Sequence, residues 1–160
     1  MEIIDNFLEK KDFIKIKTLF NENNFNWFLR NNMTNKDSNI FFNHCFYNFN
    51  SIQSPFFNLI EPIINKLNCA ALIQIRANLV PSRETRFESG LHTDYNYENA
   101  KTAIFYMDTC NGPTVLVENN QEKEVQSVEN RMLIFSQKIK HKMISATDIN
   151  KRVVINFNYF

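Results

Sequence analysis

Two periodicities divide the chain near residue 70. Before it, KKDFIKIKTLFNE sets Phe13, Ile16 and Phe20 on one face at a spacing of three to four residues, and Phe56, Leu59, Ile60, Ile63 and Leu67 repeat that spacing. Both patterns predict amphipathic helices. Ser54 reads as the N-cap of the second and Pro55 as its first helical residue. Pro62 removes an amide donor within it, so a kink or restart is expected there. The opening IIDNFL alternates as a short strand does, and Trp27-Phe28-Leu29 and the aromatic run Phe41 to Phe49 read as strands and loops.

After residue 70 the apolar positions gather into short β runs: ALIQIRANL, KTAIFYMD, PTVLVE, KEVQSV, RMLIFS, HKMIS and RVVINFNYF. Asn111-Gly112-Pro113 reads as a turn between two of them. In the last run Val153, Ile155, Phe157 and Tyr159 share one face, and Arg152, Val154, Asn156 and Asn158 share the other. The aromatic face suits the helices, and the face with Arg and two Asn suits a polar cavity. Seven or eight short strands after a helical segment predict a mainly β fold, a sandwich or jelly roll with helices packed on one sheet. At 160 residues a single domain is expected, with 1–70 as helical support and 71–160 as the core strands.

Composition narrows the partners. A formal charge of +1 and a pI of about 7.7 give no global electrostatic case for nucleic acid or an anionic membrane. No apolar run has the length of a membrane span. The opening MEIIDNFLEKKD lacks a basic segment followed by an apolar one, and Cys45, Cys69 and Cys110 have no short metal-type spacing. Free thiols and a cytoplasmic location are therefore expected.

The chemistry gathers around GLHTDYN. His92 and Asp94 are two apart, so in extended chain both side chains lean to one side. His141 opens HKMIS, with room between for four short strands to return to the same rim. Two imidazoles and a carboxylate make the facial triad of non-haem Fe(II) oxygenases, which leaves metal positions open for a cosubstrate and O₂. Arg152, on the polar face of the last strand, could pair bidentately with a carboxylate in the cavity. An inward guanidinium implies an anionic partner, and its own strand face supplies none.

These residues resemble the 2-oxoglutarate/Fe(II) oxygenases. The opening IIDNFL, RANL, TAIFYMD, NGPTVLV and the tail RVVINFNYF extend the likeness to the small prolyl 4-hydroxylase-like branch, including short enzymes carried by phages; a phage-encoded chain would act in the host cytoplasm. The resemblance implies a double-stranded β-helix in which His92, Asp94 and His141 bind Fe(II). It implies 2-oxoglutarate and O₂ as cosubstrates, with ascorbate as an optional reductant, and Arg152 holding the 5-carboxylate. Tyr106 would be a second donor to that carboxylate, and Asn78 a further candidate for the pocket. The implied reaction is hydroxylation coupled to decarboxylation of 2-oxoglutarate to succinate. The substrate expected first is a prolyl residue in a peptide or protein, then a free amino acid or other small metabolite. Val154 stands where the family often has Ser, and Arg152 where many hydroxylases have Lys.

Other features read as structural. His44 lacks matching partners, and Lys138, Lys140 and Lys142 alternate as on a solvated face. Arg83 and Arg86 lie in PSRETRFES, in the loop 81–91 that leads to His92, and are expected to belong to a substrate lid. No nucleotide-binding Gly loop or G-x-S-x-G elbow occurs. A zinc hydrolase would leave Arg152 without a role. The alternative of a different class is a non-catalytic β-helix that serves as a binding or structural module.

Overall fold

Strand β1 (Glu2–Ile4) and helix α1 (Lys10–Leu19) open the chain, followed by β2 (Phe28–Arg30), β3 (Phe41–Asn48), β4 (Ser51–Ile52) and helix α2 (Phe57–Leu67). Then come β5 (Leu72–Pro81), β6 (Lys101–Tyr106), β7 (Cys110–Glu118), β8 (Gln121–Ser127), β9 (Arg131–Ser136), β10 (Lys140–Met143) and β11 (Lys151–Tyr159). This computed structural model describes residues 1–31 and 40–160. The seven β runs expected after residue 70 are the seven strands β5 to β11. The first 70 residues also supply four strands, so that region is more than helical support.

The large sheet has the order β1-β9-β6-β11-β5-β3-β2, with β4 paired to β3, and the small sheet the order β10-β7-β8. All pairings are antiparallel. The two faces of β11 separate as its alternation predicts. Val153, Ile155, Phe157 and Tyr159 join the core beneath the helices, with Phe13, Ile16, Ile60 and Ile63. Val154 faces the other way, into the layer between the sheets with Ile104, Tyr106, Leu116, Val125, Leu133 and Phe135. Burying such apolar side chains contributes roughly 1.5–3 kcal/mol each, so both layers hold the large sheet from opposite sides.

Three local expectations change. Helix α2 begins at Phe57 with Phe56 as its N-cap. Ser54 sits just before, and its Oγ accepts the Phe56 N–H at 3.1 Å while contacting His44 Nε2 at 2.7 Å. Helix α2 runs unbroken through Pro62, because that proline loses one intrahelical bond while buried Ile60 and Ile63 hold the helix on the sheet. Asn111-Gly112-Pro113 is no turn. It lies within β7, where the register with β8 shifts between Cys110 and Thr114, a bulge.

With two glycines, the chain gives seven of the eight positive-φ positions among the described residues to asparagine, Asn6, Asn50, Asn68, Asn99, Asn119, Asn120 and Asn130, and the eighth to Phe49. Asparagine tolerates that region because its short amide bonds locally. Asn119-Asn120 thereby closes the β7–β8 hairpin with two positive φ angles, the demand of a tight I′ turn. Among the described residues no helix is long and apolar enough to cross a membrane.

Candidate active site

His92 and His141 meet as cross-strand partners, each N–H donating to the other's carbonyl at 3.1 and 2.8 Å. Their ring centroids lie 4.5 Å apart. The Nδ1–H of His92 donates to the Gly90 carbonyl at 2.9 Å, which leaves Nε2 with its lone pair toward the centre. Asp94 Oδ1 stands 3.7 Å from His92 Nε2 and 3.8 Å from His141 Nε2. The three donor groups lie within 4.8 Å of one another. One ion with bonds of about 2.0–2.2 Å can reach all three. Asp94 Oδ2 is buried without a partner, a donor left over for an ion. The donor set therefore fits a divalent transition metal.

Charge in the cluster is uneven. Burial works to raise Asp94, but the adjacent His92 and the positive charge of His141 and Arg76 outweigh it and hold the carboxyl at about 2. Burial also pulls His141 down to about 4, against the attraction of Asp94. Burial pulls His92 down, but the neighbouring Asp94 carboxylate and the bond to Gly90 outweigh it, so His92 ends above its ordinary value. Near neutral pH the cluster thus presents Asp94 as a carboxylate and His141 as a neutral imidazole, the forms in which they can ligate a metal.

Arg152 is buried at 3% exposure. Its Nε donates to the Gly112 carbonyl and Ser127 Oγ, each at 3.0 Å, and Nη2 to Thr114 Oγ1 at 3.1 Å. No ion pair joins it to a carboxylate among the described residues. Burial lowers its pKa, the mark of a cation held out of water without an anion. Gly112 makes this possible: a Cβ there would stand 2.8 Å from the Ile144 carbonyl oxygen and 2.9 Å from the Ala146 nitrogen. The bulge in β7 turns the Gly112 carbonyl onto the guanidinium.

A cavity of about 100 Å³, open at its mouth, joins these groups. Asn78 and Arg152 line it together with the triad. Tyr106 does not. It is fully buried behind the wall, its hydroxyl donates to Thr114 Oγ1 at 2.9 Å, and its ring carries the Arg152 guanidinium at 5.5 Å. Thr114 takes the lining position that Tyr106 was expected to have. The side chains of Arg83 and Arg86 are exposed and outside the lining, with Arg83 over the Phe87 ring at 4.4 Å. Residues 87–92 are bonded to 141–145 through Phe87, Ser89 and His92. That ladder restricts any closing segment of the loop to residues before Phe87.

His44 is structural, bonded to Asn26 and Ser54 at 2.7 Å each and packed on Phe25. Lys142 is not merely solvated: it lines the cavity and pairs with Glu88 at 2.8 Å and Glu122 at 3.0 Å. Sequence reasoning missed Arg76, Thr114 and Ser127. Arg76 could have been found, since it shares the β5 face with Asn78 by the two-residue period.

No protein-family model matches this sequence, and no curated protein does. Solved structures match in fold. The chain superposes on an oxidoreductase of the 2OG-Fe(II) oxygenase family from Burkholderia pseudomallei with a TM-score of 0.78 at 9% identity, covering 98% of this chain and 83% of that one. A prolyl hydroxylase in complex with a hypoxia inducible factor oxygen degradation domain peptide fragment, from Trichoplax adhaerens, gives 0.71 at 12% identity over 99% and 82%. HygX from Streptomyces hygroscopicus, with nickel and 2-oxoglutarate bound, gives 0.66 at 8% over 98% and 81%. The fold is the double-stranded β-helix of these oxygenases.

Proposed function

We propose that the protein is a 2-oxoglutarate- and Fe(II)-dependent dioxygenase that hydroxylates its substrate. The observation that carries this reading is one cavity holding both a His-Asp-His cluster and a buried arginine with no described acid partner. A dicarboxylate bound between them would satisfy both. The fold shared with 2OG-Fe(II) oxygenases supports it.

His92, Asp94 and His141 would hold the iron, whose chemistry with O₂ and 2-oxoglutarate yields succinate, CO₂ and a hydroxylated C–H bond. Arg152 holds the 5-carboxylate through its fixed guanidinium, and Thr114 lines the same end as a hydroxyl partner. Tyr106 braces both from behind. Asn78 offers an amide along the cosubstrate. Phe41, Val80 and Met143, which pack together beside the cluster, keep that side of the cavity apolar and limit water. The reading of the substrate as a prolyl residue in a peptide is supported by the likeness to a peptide-bound prolyl hydroxylase. A free amino acid is the second reading, favoured by a polar pair in the cavity.

An anaerobic titration of the Fe(II)-loaded protein with 2-oxoglutarate tests the class. Wild type should develop the visible charge-transfer band of the chelate. Asp94→Ala should bind Fe(II) more than about 100-fold more weakly, since losing even a group that only orients a ligand costs 10–100-fold. Arg152→Ala should need about 10- to 100-fold more cosubstrate. No band and no metal binding in wild type would hand the fold to the binding-module reading.

A further inference from the structure

Arg76 and Asn156 are direct cross-strand partners on β5 and β11, and both line the cavity. Each leaves a buried atom unsatisfied: the Nε of Arg76, a donor, and the Oδ1 of Asn156, an acceptor. Leaving buried polar atoms unmade is costly, so a donor and an acceptor side by side on a cavity wall call for a ligand that offers the complements.

Their place along the sheet separates them from the cosubstrate. Arg152 pairs with Val80, and Asn156 with Arg76, four residues further along β11. At a rise of about 3.3 Å per residue the two rows are roughly 13 Å apart. A five-carbon dicarboxylate measures only about 5 Å between its carboxyl carbons, from bonds near 1.5 Å. With its 5-carboxylate at Arg152 and its other end on the metal cluster, one molecule would leave Arg76 Nε and Asn156 Oδ1 for a second ligand. The positive charge of Arg76 instead acts on Asp94, His92 and Tyr95, which puts it on the metal's side of the cavity.

Charge inventory sharpens the choice of ligand. Of the three basic side chains lining the cavity, Lys142 is matched by Glu88 and Glu122, and Arg152 would be matched by the cosubstrate. Arg76 has no ion pair with a described carboxylate, and Asp94 is committed to the histidine cluster. An incoming carboxylate suits the guanidinium, and an adjacent ammonium suits the Asn156 carbonyl.

We infer that Arg76 and Asn156 form the substrate anchor, taking the α-carboxylate and α-ammonium of a free amino acid and holding its side chain toward the metal cluster. This rests on the oxygenase reading and takes the second of its two substrate readings, the free amino acid, over the prolyl peptide. An internal peptide residue would present a neutral carbonyl and leave the Arg76 charge unmatched.

The test uses Zn(II)-loaded protein, which does not turn over, and follows the Nε–H resonances of Arg76 and Arg152 by NMR. Adding 2-oxoglutarate should move the Arg152 line; if it does not, the oxygenase reading fails and takes this inference with it. To the loaded complex are then added a pool of the twenty L-amino acids, the same pool as amides, or the blocked peptide acetyl-Gly-Pro-Gly-amide. The free acids should move the Arg76 line at concentrations about tenfold or more below the amides. Calorimetry with the acid that binds should show that advantage lost in Arg76→Gln and partly kept in Arg76→Lys, which retains the charge. If 2-oxoglutarate binds yet acids and amides act alike, or neither moves Arg76, or the blocked peptide acts at lower concentration, the anchor is overturned while the enzyme class stands.

Discussion

At the scale of single residues, Tyr106 and Thr114 separate two ways of reading a pocket. A tyrosine near an arginine suggests a direct ligand donor, but the Tyr106 hydroxyl is spent on Thr114, and Thr114 meets the cavity. Tyr106→Phe should therefore change 2-oxoglutarate affinity less than about threefold while costing about 1 kcal/mol of stability, whereas Thr114→Val should weaken cosubstrate binding by about tenfold. Cosubstrate titration of both variants decides it; equal loss of affinity would restore Tyr106 to the pocket. His141 supplies a prediction in pH. Burial holds it at about 4 in the fold against 6.5 unfolded, so between those values the unfolded chain binds more protons. The contribution of His141 to the stability of the metal-free protein should fall by about 3 kcal/mol as the pH drops through that window. Asp94, held at about 2, adds loss in the same direction only below about pH 4. His92 works oppositely: its raised value stabilises below 6.5, and that contribution fades as the pH climbs above it. Urea midpoints at pH 7 and 4.5 should shift less for His141→Gln than for wild type, and equal shifts would sink the assignment.

At the scale of elements, the informative one is β7. Its bulge brings the Gly112 carbonyl onto Arg152, and the glycine is required by the backbone of 144–146 rather than by its own φ. Gly112→Ala should cost about 1–3 kcal/mol by overpacking and weaken cosubstrate binding together with it, seen as a lowered melting temperature and a displaced Arg152 Nε–H resonance. A variant that melts as wild type would mean that the 144–146 segment yields freely. The alternation of β11 was legible because a two-residue period survives any register, and its faces went where expected save for Asn158, which lies outside the cavity and accepts from Thr102 and Gln137. The bulge was not legible. Asn-Gly-Pro is a turn signal by local propensity, and only the pairing of β7 with β8 on one side and β10 on the other keeps the segment in the sheet.

At the scale of the whole molecule, the N-terminal 70 residues are part of the barrel's wall. β3 pairs with β5 along most of its length, β1 closes the far edge on β9, and Asn130 clamps Leu8 through both its amide atoms. A chain of 71–160 alone should not fold to a cooperative unit, because it exposes the β5 edge and the whole apolar face under the helices; a sharp thermal transition in that fragment would show otherwise. What the sequence determined by itself was whatever depends on near neighbours: strand and helix type, the two faces of β11, and the pairing of His92 with Asp94 across one residue. The arrival of His141 beside His92, the bracing of Arg152 by Thr114, Ser127 and Gly112, and the meeting of Arg76 with Asn156 were decided only by the tertiary structure. Each joins strands far apart in the chain, and strand order and register are set by the burial of both sheet faces at once, a condition no local window of sequence contains.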